Sequence, residues 1–447
     1  MNQLKAGAGG CEIRFPETMF PTDGFMGVHD APQLRMLMLE SGSRMVIAVL
    51  ELVNVPEDIL NMVRDMIEEK TGAPRENIWI HVNHTITSPH APRDPNVPFP
   101  PFPKETEEEK KRNARNAPPE DPDAPRKRRE FMAAVREASA AALEMMLASF
   151  TEARMGVGTG FCDVNSNRDV ETPAGWWINI NREGVSNKTA TVVRLDSLEG
   201  KPIGMLINYG LKPCAIDNSE KEKNTRLISA DVPGYACVAL EEKYGAPVMF
   251  TMSAAGDQIT REQALLEVVR EDGSVGKLDL GVEKGLEIVS RLGSEMASDM
   301  EKIIDGIECK SIEESVEYAS TSIFWKGKKR SEMRPTRTPE YIPEEEEREM
   351  DAHALVLEDL DLAFVAIKPE TNAITELQLK EKSPYKHTLL MSMINGGMRY
   401  VPDQSAFEKG TWEAQSSALM PGAAEAWVEK TAEMLSEVKN RGKGAPE

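Results

Sequence analysis

The stretch Met45–Val82, MVIAVLELVNVPEDILNMVRDMIEEKTGAPRENIWIHV, decides the fold. It opens with an apolar run, Met45 to Val53, bounded by turn residues, which reads as a strand. Pro56 then stands near the start of a helical pattern in which Ile59, Leu60, Val63, Met66 and Ile67 share one face, and the pattern ends near Gly72. Asn77 to Val82 is the next strand. Strand, helix, strand is the signature of a βαβ unit, so at least part of the sheet is parallel. Upstream, Leu34 to Leu39 is a second apolar run that pairs with the first.

Working outward, Met155–Gly160, Thr191–Leu195, Ile203–Tyr209, Val248–Met252, Leu362–Ile367 and Thr388–Met393 read as strands. Phe131–Leu147, Val232–Tyr244, Glu283–Ile304 and Pro421–Val438 read as helices, the last with Pro421 well placed at its start. The run Glu340–Asp351 reads as a solvated acidic face. There is no internal repeat and no linker that divides the chain. The expectation is one α/β domain over residues 1–447, a mixed parallel and antiparallel sheet flanked by helices. Residues 91–130 differ in kind: rich in proline and charge, they form an insertion read either as a lid over a site or as a segment with no role.

Composition excludes several function classes. The net charge of −21, from 74 acidic and 53 basic residues, repels phosphate backbones and anionic membrane surfaces, so neither nucleic acid nor membrane is an expected partner. No apolar run reaches membrane-spanning length, and the N-terminus MNQLKAGAGGCEIRF has no secretory pattern, so a cytoplasmic setting is expected. Five cysteines without a CxxC pair argue against a disulfide framework. A small-molecule substrate is the expected partner, and assembly with further copies of the chain is left open.

Chemistry concentrates where strands end, as open α/β sheets favour. IWIHVNHTITSPHAP carries His81, His84 and His90, three of the six histidines; such a cluster can hold a metal or can be buried, hydrogen-bonded core. INYGLKPCAIDN places Lys212 two residues from Cys214; SAAGD closes a strand with Gly256 and Asp257; AIKPETN carries Glu370, and INGGMRYVP carries Asn395 and Tyr400.

Taken in order, these segments resemble the neutral/alkaline ceramidase family, in its N-terminal catalytic-domain type. The resemblance rests on GVHDAPQLRMLML, NHTITSPH (where the family has THTHSGP), SNRD, LEGKPIGMLINYGLKPC, ISADVPGYA, SAAGD, NGGMRYVP, KGTWEA and LMPGAAE, nearly the whole chain. It implies an amide hydrolase with one catalytic zinc held by two histidines, a glutamate and a tyrosine. Carried over residue by residue, the metal positions fall on His84, Glu370 and Tyr400, and the second histidine falls on Lys212. The family's second THTHSGP histidine falls on Ile86 and its serine nucleophile on Ile259. Asp231, Asp257, Asn167 and Arg168 come over from matched segments, Asp257 and Asp231 as pocket-orienting acids and Arg168 with Asn167 as substrate contacts, joined by His90 and Asn395.

Lys212 leaves three readings open: an ammonium standing where a metal would be, a base or nucleophile if desolvated, or a carbonyl polariser beside a zinc whose missing ligand comes from Cys214 or His90. No C-terminal sandwich domain of the kind found in secreted ceramidases is expected after the closing helix. A small soluble amide, lactam or related acyl compound is therefore the expected substrate. The alternative is a binding protein that has kept the pocket and lost the chemistry.

Overall fold

The computed structural model describes residues 3–92, 121–397 and 399–442. The βαβ unit is present: strands Ser43–Leu50 and Ile78–Val82 run parallel, joined by helix Glu57–Thr71, which stops where Gly72 takes the left-handed conformation at φ 64. They belong to an eight-stranded sheet ordered Val248–Met252, Pro202–Tyr209, Thr189–Ser197, Thr151–Phe161, Lys5–Glu12, Gln33–Ser41, Ser43–Leu50, Ile78–Val82. Only the outermost pair at each end is parallel; every other pairing is antiparallel. The expected mixed sheet is thus observed.

A second sheet, Glu317–Lys328, Pro343–Leu357, Leu362–Ala366 and His387–Met391, packs against the first. Strand alternation sorts the side chains into layers. Leu37, Leu39, Ile47 and Trp79 point inward to meet Leu355, Phe364, Leu389 and Met391 of the smaller sheet. Met36, Met38, Val46 and Ile80, one position along, point outward under helices Glu57–Thr71 and Ala124–Ala148. Helices Asp231–Tyr244 and Val282–Asp305 cover Met205, Ile207 and Phe250. Helix Ala423–Gly442 lays Trp427 and Leu435 on the outer face of the smaller sheet. The result is helix, sheet, sheet, helix, and each fully buried large side chain contributes roughly 1.5–3 kcal/mol.

Two differences from the sequence reading have clear causes. The helix expected from Phe131 begins at Ala124, because Pro125 is tolerated in a first turn and the stems of Lys127 and Arg128 are buried. Arg128 makes a bidentate pair with Asp58 at 2.8 and 2.7 Å, and Lys127 donates to the Pro21 carbonyl. The end of the 91–130 insertion is therefore ordered framework, and the lid reading of residues 93–120 lies outside the described residues. The acidic run at 340–351 is largely strand, Pro343–Leu357, set against a lysine- and tryptophan-bearing partner in the register Lys326↔Glu347 and Trp325↔Arg348. Charge concealed its alternation. Among the described residues, no helix is long and apolar enough to cross a membrane.

His81 ties the layers together. Its ring is fully buried: Nδ1 donates to the Ser392 carbonyl at 2.7 Å, and Nε2 accepts from the Met252 amide at 2.8 Å. The C-terminal ends of the two edge strands of the large sheet thus meet across one neutral imidazole. Burial lowers its pKa to about 4, against the acceptor carbonyl of Ser392, which works the other way. The folded state needs His81 uncharged, so its contribution is complete above the ordinary value of 6.5 and fades as pH falls toward 4. Replacing His81 with leucine is expected to cost about 2–4 kcal/mol in urea unfolding at neutral pH, since two buried backbone groups lose their partner. The gap between the two proteins should narrow as pH drops from 6.5 toward 4. A pH-independent gap would show that His81 is not held neutral.

Candidate functional site

Four strand ends bring the site together. His84 follows strand Ile78–Val82, Lys212 follows Pro202–Tyr209, Asp257 follows Val248–Met252 and Glu370 follows Leu362–Ala366. Glu370 and Tyr400 face each other in a short parallel ladder, Glu370–Thr371 against Tyr400–Val401. Arg168 comes from strand Asn165–Thr172, and its amide donates to the Asp257 carbonyl at 2.9 Å. His84 holds a left-handed backbone at φ 56, rare for a residue with a Cβ.

Glu370 is the centre. One carboxylate oxygen meets Nδ1 of His84 and the other lies 2.8 Å from Nζ of Lys212. Lys212 also donates to the Tyr400 hydroxyl at 2.9 Å, and its ammonium sits 4.9 Å from the centroid of the Tyr400 ring. Arg168 lies over the same ring, 5.5 Å from the centroid, and pairs with the fully buried Glu413, its Nε donating at 2.6 Å. Lys212, Glu370 and Arg168 are all buried. Each of the two cations thus stands against a carboxylate, Lys212 against Glu370 and Arg168 against Glu413.

The protonation states follow from these neighbours. Burial of Glu370 favours the neutral acid, yet the ammonium of Lys212 and the hydrogen bonds from Lys212 and His84 outweigh it and hold its pKa below the ordinary carboxylate value. Burial and repulsion from Arg168 work against charge on Lys212, but Glu370 and Tyr400 outweigh them and raise its pKa. Lys212 is an ammonium at neutral pH. Burial lowers the pKa of His84, with Lys212 and Arg168 adding to the effect against the opposing pull of Glu370, so its imidazole is neutral. Nδ1 lies against Glu370, and the tautomer with its proton on Nδ1 leaves the lone pair on Nε2. Desolvation raises Asp257 to about 7 despite the Ala373 amide and the Asn167 side chain that donate to it at 2.9 Å each.

Lys212, Arg168 and Tyr400 face a cavity of about 240 Å³ whose walls include Ile86, Ile178, Ile259, Leu265, Cys214 and Trp412. The two isoleucines that stand at reactive positions of the resemblance are therefore wall residues of this cavity. Cys214 is buried and its thiol is pushed up to about 12, which keeps it from serving as a thiolate.

The remaining sequence candidates have other partners. His90 is exposed and bound to Asp23, Nδ1 to carboxylate at 2.7 Å. Asn395 extends the sheet edge, accepting from the Ile80 amide at 2.9 Å and donating to the Ile78 carbonyl at 3.3 Å. Asp231 is buried at the start of its helix and accepts from the amides of Ala215 and Ile216, at 3.1 and 3.3 Å, so it pins the loop that follows Lys212. Asn167 donates to Asp257 and lies on the strand face opposite Arg168. Glu413 was missed: KGTWEA gives no sign that its glutamate will meet Arg168, 245 residues earlier. Trp412, from the same segment, was missed as a cavity wall.

The donor set does not fit a catalytic zinc. His84, Glu370 and Tyr400 converge, but the fourth position holds an ammonium, which has no lone pair to give and already contacts Glu370 and Tyr400. Neither Cys214, bonded to Gln263, nor the outward His90 joins Glu370 among the described residues.

No known family model and no curated protein matches the sequence. Solved structures do. The neutral ceramidase of Pseudomonas aeruginosa superposes with a TM-score of 0.68 at 13% identity, covering 99% of this chain and 75% of that one. A ceramidase complexed with C2 gives 0.69 at 12% identity, over 99% and 76% of the respective chains. The fold is that of the neutral ceramidases, as the sequence resemblance implied.

Removing the ammonium isolates its role. Lys212→Met should destabilise the protein by about 3–5 kcal/mol, because Glu370 stays buried without its main counter-charge. Adding Glu370→Leu should recover much of that loss in urea unfolding. If the double variant is no more stable than Lys212→Met, the two side chains are not a coupled pair.

Proposed function

We propose that the chain hydrolyses the C–N bond of a small amide, lactam or related acyl compound, with Lys212 as carbonyl polariser in place of a metal ion. The carrying observation is the position of Lys212: a buried ammonium, anchored by Glu370 and Tyr400, at the wall of a cavity lined by both apolar and polar side chains. An ammonium has three donors and two are engaged. The third is left for a substrate carbonyl oxygen, and that interaction strengthens as the oxygen gains charge. The shared fold supports the amide-hydrolase class, since the solved relatives are ceramidases. The cavity volume of about 240 Å³ favours a small acyl group over a long-chain lipid.

The roles of the chain's own residues follow from their bonds. Glu370 holds Nδ1–H of His84 and so leaves Nε2 as the base that takes a proton from the attacking water. Lys212 and Tyr400 stabilise the tetrahedral oxygen. His84 then returns the proton to the departing nitrogen as the C–N bond breaks. Arg168, held over Tyr400 by Glu413, fixes the ring that anchors Lys212.

A second reading is favoured by one observation. Ile86 and Ile259 put hydrocarbon where reactive groups would stand, which suits a binding protein that retains acyl compounds without cleaving them. A panel of small N-acyl amides and lactams separates the two. Hydrolysis is expected, with His84→Gln and Lys212→Met each lowering kcat by about 10²–10⁴-fold. The rate should hold below the ordinary imidazole value of 6.5, because the His84 pKa is lowered and the base stays neutral into mild acid. Saturable binding without turnover across the panel would establish the binding reading instead.

A further inference from the structure

Four charged side chains line the cavity of Lys212: Lys212 itself, Arg168, Asp217 and Glu267. The two cations already stand against Glu370 and Glu413. The two acids have no such counterpart: among the described residues neither forms an ion pair. Each uses one carboxylate oxygen. Oδ1 of Asp217 accepts from the side-chain amide of Asn218 at 2.8 Å, and Oε2 of Glu267 accepts from the indole of Trp177 at 2.6 Å. Oδ2 of Asp217 and Oε1 of Glu267 make no hydrogen bond among the described residues, and neither atom is sealed off from solvent.

Nearby cations leave both acids uncompensated. Lys277 lies opposite Glu267 in the hairpin of Leu265–Val269 and Val275–Asp279, but it is exposed and pairs with neither acid. Arg226 donates to the Asn218 side chain and to the Asp23 carbonyl, and lies 4.2 Å from the centroid of the Phe25 ring. Burial raises the pKa of Asp217, with Glu267 adding repulsion, against the Asn218 amide, Lys277 and Arg226. Two carboxylates on one wall call for a cation from the ligand. A calcium- or magnesium-sized ion needs more oxygens, and among the described residues no third metal-ligating side chain joins these two. An ammonium is served by two acceptors and tolerates an aromatic neighbour, here Trp412, which lines the cavity and meets Trp177 edge-on at 5.3 Å between centroids. Position is fixed as well. Lys212 and Asp217 stand on one loop, and between them the amides of Ala215 and Ile216 are pinned by Asp231.

We propose that the substrate is an acyl compound carrying a primary ammonium a few carbons from the scissile C–N bond, selected through that charge by Asp217 and Glu267. The inference rests on the reading of the Lys212 cavity as the substrate site and names the class of compound it takes. One end of the substrate presents its carbonyl oxygen to Lys212, and the other places N–H donors on Oδ2 of Asp217 and Oε1 of Glu267. A cavity of about 240 Å³ admits such a molecule.

Isothermal titration and turnover of the full chain with N-(aminobutyl)acetamide, its amine at the chain end, and with N-pentylacetamide, its uncharged isostere, test the assignment at neutral pH and low salt. The native protein should bind the amine at least about tenfold more tightly than the isostere, the worth of one charge-assisted hydrogen bond. Asp217→Asn keeps a residue type that accepts the left-handed backbone at φ 51, and Glu267→Gln keeps an acceptor for Trp177. Each should reduce the preference for the amine, and the double variant should lose it. The titration separates this inference from the hydrolase reading. Preference for the amine without turnover supports the selection by charge and removes the hydrolysis. Turnover of both compounds without preference overturns the selection and leaves the chemistry of Lys212 standing. Absence of saturable amine binding to the native protein, or an undiminished preference in the folded double variant, also overturns it.

Discussion

The ion pair between Lys212 and Glu370 constrains the rest of the site. At 2.8 Å its gross attraction is about 6 kcal/mol at an effective dielectric near 20. Burying each ion costs several kcal/mol, so the net gain in stability is small and the benefit is position. Glu370 cannot leave Lys212 without stranding a charge, and Lys212 cannot leave Glu370 and Tyr400. The same carboxylate fixes the tautomer of His84. Three elements distant in the chain are thereby held at one point with defined protonation states.

The fold supplies what such a pair needs. Parallel strands at the sheet edges and in the smaller sheet deliver their C-terminal ends to one region, where loops need not continue the ladder. His81 holds two of those ends together from beneath, and Asp231 ties down the loop after Lys212. Arg168 and Glu413 make a second buried pair across the Tyr400 ring, so that each cation has a carboxylate.

Much of this was legible in the sequence because it depends on local pattern. The βαβ unit at 45–82 is written in apolar periodicity and a terminal glycine, and the structure keeps both. The convergence of His84, Lys212, Glu370 and Tyr400 came from ordered resemblance, since no spacing along the chain implies it. What stayed hidden depends on long-range pairing. Arg128 falls in the proline- and charge-rich insertion of the sequence reading, and its role shows only when Asp58 is seen beside it. The run from Glu340 reads as a solvated acidic face, and its glutamates are mostly exposed, but that it is a strand shows only in its pairing with Glu317–Lys328. Glu413 has meaning only through Arg168. His90 and Asn395 illustrate the converse: a polar residue near a site segment can be wholly occupied elsewhere, by Asp23 in one case and by the backbone of strand Ile78–Val82 in the other.

The central claim is that the ammonium of Lys212 occupies the position a metal ion would take among His84, Glu370 and Tyr400. Zinc content after equilibrium dialysis, measured on the native protein and on Lys212→His, tests it most directly. The account predicts no stoichiometric zinc in the native chain and stoichiometric uptake in the variant, where a fourth lone pair completes the donor set. Stoichiometric zinc in the native protein, lost on His84→Ala, would contradict it.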